Sequence, residues 1–321
     1  MPGFKGEPMP ETFLIIAPGS LSTVQDQGRY GYQALGVPVS GCLDTLSSRL
    51  GNLLVGNPPE SAVLEMTLTG VTLAVLRPTQ LAVTGGTAEI KINSKTCPPW
   101  HALTVHPGDL VRIGQVTKGC RMYLAVSGGI DVPVVMGSRS TSVGSGLGGY
   151  QGRAIRKGDI LCTSSPAQER PGISLTQADI PCWKEEITLR CLPGPQDDLF
   201  TDIASTLLAT AYTLTDQADR RGLRLQGPPV THRSSSPGTV LSEPSLPGNI
   251  QVPGDGQPIV LLKEQTVGGY AKVATVISSD LYTLAQAVPG DRVRFQEISL
   301  EAAHRIWQDM EDWISALAHT L

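Results

Sequence analysis

Pro107-Gly-Asp-Leu-Val-Arg-Ile113 returns near the other end of the chain as Pro289-Gly-Asp-Arg-Val-Arg-Phe295. Both copies read as a Gly-Asp turn feeding a short strand, so the repeat predicts two related β-domains. Around the first copy lie further short runs bounded by Gly, Pro and Asp: Val71–Leu76, Gln80–Thr84, Ala88–Ile92 and Arg121–Val126. Ala88–Ile92 alternates apolar and polar residues, as a half-buried strand does. Composition agrees, since 35 Gly and 25 Pro in 321 residues are far too many for a helical bundle. The aromatic share is only 5 %, which leaves the cores to Val, Leu, Ile and Ala.

Helical periodicity is confined to three places. Leu43–Val55 carries leucines at helical spacing and ends at Gly56-Asn57-Pro58; Asp197–Thr210 is a second candidate, with Asp197 and Asp198 placed to cap it. The third follows Ser299 as N-cap, with Ala303, Ile306, Met310, Trp313 and Leu317 on one face. A chain of this length exceeds one ordinary core. The expected division is an N-terminal domain over 1–165, a linker over 166–184 and a C-terminal domain over 185–321 that includes the last helix. Pro228–Gly238, rich in Ser, Thr, Pro and His, reads as a surface loop.

The net charge is −4 and no run of Lys or Arg occurs, which argues against nucleic acid and anionic membranes as partners. The chain lacks a spanning apolar stretch, and Phe13–Ala17 is too short for a signal-peptide core, so a cytoplasmic location is expected. Six cysteines without a C-x-x-C pair read as reduced thiols. The serine-hydrolase elbow, the H-E-x-x-H zinc motif, the P-loop and the Met-Lys dipeptide of biotin attachment are all absent. Cys97, His101, His106 and Cys120 match no closed zinc spacing, and no metal is expected in this chain. The cluster Gly144–Arg153 opens no helix; it reads as a tight glycine loop, with an anion contact through Arg139 or Arg153 left open.

Several segments combine polar side chains with glycine more densely than core packing requires. They are Thr23-Val-Gln25-Asp26-Gln-Gly-Arg29, Gly128-Gly-Ile-Asp-Val-Pro133, Gly137-Ser-Arg139-Ser-Thr141, Pro193-Gly-Pro-Gln196-Asp-Asp198, Ser242-Glu243-Pro244, Ile250-Gln251-Val-Pro253 and Gln265-Thr-Val-Gly-Gly-Tyr270-Ala-Lys272. In this order the series resembles the biotin-dependent carboxyltransferase family, also called allophanate hydrolase subunit 2. Within that family it is most similar to the KipA-type branch, the C subunit of bacterial 5-oxoprolinase. The resemblance covers about residues 12 to 300. It implies two tandem cyclophilin-like β-barrel domains with a few short helices. It also implies two partners, a KipI-type B subunit and a LamB/YcsF-type A subunit, and an ATP-using complex that opens 5-oxoproline to glutamate. Biotin carried on another chain belongs to the alternative, carboxyl transfer to a urea-like amide. A third reading is a regulatory protein that binds a KipI-like kinase inhibitor. The chain departs from the family pattern at Ala218 and Arg221, at Lys263-Glu264 and at Ala271, of which 263–264 and 271 bear on substrate specificity.

Opening a lactam requires polarisation of a carbonyl and stabilisation of an oxyanion. Gln25, Gln251 and Gln265 each offer an amide donor and acceptor to a urea- or lactam-like group. Lys272, Arg29 and Arg139 offer positive charge, Tyr270 a hydroxyl or ring, and Glu243 and Asp26 are the candidate bases. Structural roles compete with these: Asp26 and Arg29 as a local ion pair, Glu243 as a loop brace, Gln251 as a partner for backbone groups.

Overall fold

A computed structural model describes residues 11–164, 172–233 and 238–321. It divides into two compact units. The first gathers the chain up to Gly28 with Thr45–Cys182; the second gathers Arg29–Asp44 with Trp183–Thr320. Both are β-structures, as the repeated turn predicts.

The first unit is a ten-stranded sheet that curls toward closure. Its spine is the long pair Thr79–Ile92 and Leu110–Val126, whose register shifts around Gly85 and bends both strands. Phe13, Ile15, Leu64, Met66, Leu73, Leu81, Val83, Met122 and Leu124 fill the interior. The helix expected over Leu43–Val55 spans Thr45–Leu54, and Gly56 stops it in the left-handed conformation, at φ 73°.

The second unit contains a closed barrel ordered Glu186–Pro193, Lys272–Val276, Asn249–Gln251, Ile259–Leu261, Gly222–Gln226, Ala211–Ala218 and Arg292–Glu297. Off it stands a ribbon of Thr239–Pro244 against Val267–Tyr270. The segment Arg29–Asp44 belongs here, contributing Leu43 to the core and receiving bonds from three side chains. Lys263 Nζ donates to the Cys42 carbonyl at 2.7 Å, Arg220 donates to that of Gly41 at 2.7 Å, and Gln286 donates to the Asp44 carboxylate at 2.7 Å. The domain boundary is therefore not a single cut in sequence.

The repeated turn is the same object in both units. In each, the Asp carboxylate accepts the backbone N–H three residues earlier: Asp109 from His106 at 2.8 Å, and Asp291 from Val288 at 2.9 Å. Gly108 and Gly290 carry φ near +91° and +99°, a conformation side chains avoid. Asp159 accepts from Arg156 at 2.7 Å in a third copy, at Lys157-Gly158-Asp159.

Three expectations need correction. Asp197–Thr210 is not a helix: a single 3-10 turn covers Asp197–Leu199 without a side-chain cap, and turns follow over 203–209. Asp202 interrupts with φ 52°, although Phe200 and Leu207 still reach the core. Pro228–Gly238 is not wholly a surface loop, because Val230 is buried and His232 stacks on Phe200 with ring centroids 4.6 Å apart; residues 234–237 lie outside the described residues. The expected linker over 166–184 falls partly outside them too, and its described part is not loose: Ala102 N–H donates to Ile173 and Leu175 N–H to Trp100.

The last helix runs Leu300–Thr320, with Ser299 Oγ accepting the Ala302 N–H at 3.2 Å. Its expected apolar face is its less exposed one, anchored by Ala303 and, beside Trp313, by Ile314. None of the six cysteines is in a disulfide. No helix among the described residues is long and apolar enough to cross a membrane.

Candidate active site

Strand Lys272–Val276 is flanked in the barrel by Glu186–Pro193 and by Asn249–Gln251, which makes Gln251 the cross-strand partner of Lys272. The chain leaving Pro193 does not turn outward. Gly194 N–H donates to Val273 at 3.0 Å and Gln196 N–H to Lys272 at 3.3 Å, laying the Pro-Gly-Pro-Gln segment along the strand. An added Cβ on Gly194 would sit 2.2 Å from the Lys272 carbonyl oxygen, so only glycine permits this approach.

Gln196 then ties three elements together. Its Oε1 accepts the Lys272 backbone N–H at 3.0 Å, and its Nε2 donates to Glu243 Oε1 at 2.7 Å. The same oxygen accepts Lys272 Nζ at 2.6 Å. The Lys272 side chain is 2 % exposed and that of Glu243, on the ribbon, 37 %. The buried charge is thus the ammonium, met by a carboxylate that solvent partly reaches.

These bonds decide the chemistry open to Glu243. The Lys272 ammonium first, and the Gln196 amide second, hold its carboxyl below the usual carboxylate range. A carboxylate so stabilised is a weakened base and a strong anchor. The sign of the linkage follows, because a depressed folded pKa adds stability that is complete above the ordinary value and disappears as pH falls through the lowered one. Acid titration of the wild type should therefore show a loss of stability below about pH 4.3 that Glu243→Gln lacks, read by thermal unfolding. Coincident curves would remove the ion pair from the account.

Gln251 and Gln265 line a cleft of about 580 Å³ in this unit, with Asp219, Arg221, Arg224 and Leu261 among its other walls. Arg221 is paired with Asp219 and Arg224 with Asp255. Gln265 Nε2 donates to its neighbour Val267 at 2.6 Å, and Tyr270 stands half-exposed on the ribbon. Lys263 and Glu264, which depart from the family pattern, serve the backbone of Arg29–Asp44, Glu264 through Arg220; Ala271 is buried.

The other candidates are placed differently. Asp26, in the first unit, accepts from Gly28 N–H, Ser138 Oγ, Arg139 N–H and Ser140 Oγ at 2.5 to 2.9 Å, a clasp that closes the loop around residues 138–140. Gln25, also there, is buried and donates to Thr23 and to the Thr141 carbonyl. Arg139 lies 3.5 Å from Asp131. Arg153 makes a two-pronged contact with Asp159 at 2.7 and 2.8 Å. Arg29, in the second unit, is fully buried. Gln196 is the member of the Lys272–Glu243 cluster that residue-by-residue reading misses, although its segment, Pro-Gly-Pro-Gln, stands out in the sequence as a motif.

The family description "Carboxyltransferase domain, subdomain A and B" matches residues 35–297, most of the chain. The chain belongs to this carboxyltransferase domain family. It is 37 % identical over 310 residues to the C subunit of Escherichia coli 5-oxoprolinase, covering 96 % of this chain and 98 % of that one. It is 32 % identical over 331 residues to the urea amidolyase of Lachancea kluyveri, but that match covers only 18 % of the relative. The crystal structure of K. lactis urea amidolyase superposes with a TM-score of 0.90 at 31 % identity, covering 98 % of this chain and 20 % of that one. The carboxyltransferase domain thus occurs as nearly a whole chain in one relative and as a fraction of a large enzyme in others. The Lys272–Glu243–Gln196 cluster lies on segments inside the matched region.

Proposed function

We propose that this carboxyltransferase-family chain is the amide-handling component of an ATP-dependent 5-oxoprolinase, active in complex with a KipI-type and a LamB/YcsF-type partner. The observation that carries the reading is the Lys272 ammonium, buried and oriented by Glu243 at 2.6 Å beside the cleft-lining Gln251. The near full-length relation to the C subunit of 5-oxoprolinase supports the choice of substrate. As a lactam opens, negative charge grows on the carbonyl oxygen, and a fixed ammonium in a desolvated setting stabilises it without reorganising. Glu243 aims the ammonium, and Gln196 aims Glu243. ATP, which the complex uses, supplies the driving force for ring opening; the glycine cluster at 144–152 opens no helix that would cradle its phosphates.

The test is co-expression with the two partners and an assay of ATP-dependent glutamate release from 5-oxo-L-proline. The assembled complex is expected to release glutamate; full assembly with no release would overturn the reading. A second reading, carboxyl transfer from biotin on another chain to a urea-like amide, draws on the 0.90 superposition with urea amidolyase. Urea-dependent consumption of carboxybiotin by the complex would favour it instead.

A further inference from the structure

Of the buried polar atoms in the second unit with no hydrogen-bond partner among the described residues, two lie against the same glycine. Gln251 Nε2 and Ser245 Oγ are each shut off from solvent, in residues that are 4 % and 1 % exposed. An ideal Cβ on Gly268 would stand 2.2 Å from Gln251 Nε2 and 3.3 Å from Ser245 Oγ, so the amide and the hydroxyl both lie against one residue of the ribbon. Gly268 is itself the cross-strand partner of Glu243, and Gln251 that of Lys272. Leaving a buried donor unpaired costs roughly 1–3 kcal/mol, so a fold that keeps two side by side next to a charged cluster retains them at a cost that a ligand can offset.

We propose that Gln251 Nε2 and Ser245 Oγ form a two-donor hole for the carbonyl oxygen of the amide substrate. This inference rests on the amide-substrate reading above and assigns Ser245, which no motif singles out, to the site. Access is from the cleft that Gln251 lines. The two ribbon strands hydrogen-bond as strands only to each other among the described residues, with the Glu243 side chain as their tie to Lys272 and Gln196, so the Val267–Tyr270 side of the ribbon is the element that yields when the oxygen enters. The absence of a side chain at Gly268 is what lets the Gln251 amide occupy its position: an alanine methyl there would push away the end of a flexible side chain, sparing the fold while misaligning the donor. The two donors and Lys272 would then divide the work, the neutral groups reading the carbonyl oxygen and the ammonium meeting its developing charge.

The experiment measures equilibrium binding of 5-oxo-L-proline and of its 5-thioxo analogue to the full chain with its co-expressed partners and no ATP. Sulfur in place of the lactam carbonyl oxygen keeps the ring, N–H and carboxylate but is a much weaker acceptor. Wild type should prefer the oxo compound, and Ser245→Ala, Gln251→Ala and Gly268→Ala should each weaken oxo binding by roughly tenfold, the worth of one neutral hydrogen bond, while changing thioxo binding much less. Variants that weaken both compounds equally would show a merely structural role and overturn the hole. Wild-type binding of both compounds with equal affinity would do the same while leaving the substrate reading intact. No binding of either compound by wild type would instead overturn the substrate reading and this inference with it.

Discussion

Glu243→Ala is expected to destabilise the second unit by about 2 kcal/mol, and Lys272→Met by much less, although both remove the same ion pair. The asymmetry comes from burial. The ammonium is 2 % exposed while the carboxylate is 37 % exposed, so deleting Glu243 leaves the deeper charge without its anion. Breaking a fully buried pair from one side costs roughly 3–5 kcal/mol; solvent access on the carboxylate side reduces that here. Lys272→Met removes the charge that needs compensation and fills similar volume, which is often neutral for stability. For catalysis the order reverses, because methionine abolishes the positive charge and should lower turnover on the order of a thousandfold. Urea unfolding and the glutamate-release assay on the two variants would separate the effects. Equal stability losses would mean that Lys272 finds another acceptor, and unchanged turnover in Lys272→Met would return that lysine to a structural role.

The second large effect is expected at Gly194. Its φ is not in the left-handed region, so the demand for glycine is purely steric. A Cβ would meet Lys272 O at 2.2 Å, Ala274 N at 2.7 Å and the Val273 carbonyl carbon at 2.7 Å, all backbone of a barrel strand flanked on both sides. None of these atoms can swing away, so Gly194→Ala must lift the Pro-Gly-Pro-Gln segment. The cost is roughly 3 kcal/mol from overpacking, together with the bonds by which Gln196 holds Glu243. Gly108→Ala is the control: its added methyl meets nothing within 4 Å and suffers only the strain of φ +91°, about 1–2 kcal/mol. Thermal unfolding should rank the two variants, and the Gly194 variant should also lose turnover. A Gly194→Ala protein as stable and as active as wild type would mean that the segment does not position the cluster.

Much of the fold is legible in the sequence because its devices are local. The Gly-Asp turn is made by one carboxylate and one N–H three residues apart, so it survives as a string of letters in every copy. The helix at Thr45–Leu54 announces itself through leucine spacing and a glycine stop, and the last helix through its serine cap. Asp197–Thr210 misleads because Leu199, Ile203 and Leu207 do have helical spacing and do face the barrel core; a positive φ at Asp202 achieves this with turns instead. A left-handed aspartate leaves no mark in hydrophobic periodicity.

By itself the sequence determined that the protein is built from two β-domains and belongs with the carboxyltransferase domains, since turns, strand patterns and ordered motifs are properties of neighbouring residues. Its 35 glycines and 25 prolines registered there only as punctuation. The tertiary structure alone decided that Arg29–Asp44 joins the C-terminal unit, and that Gln196, Glu243 and Lys272 form one cluster while Asp26 is consumed in a clasp of the other unit. The reason is physical: closing the barrel and pairing the ribbon beside it bring together residues separated by 29 to 76 positions, through contacts that no local pattern encodes.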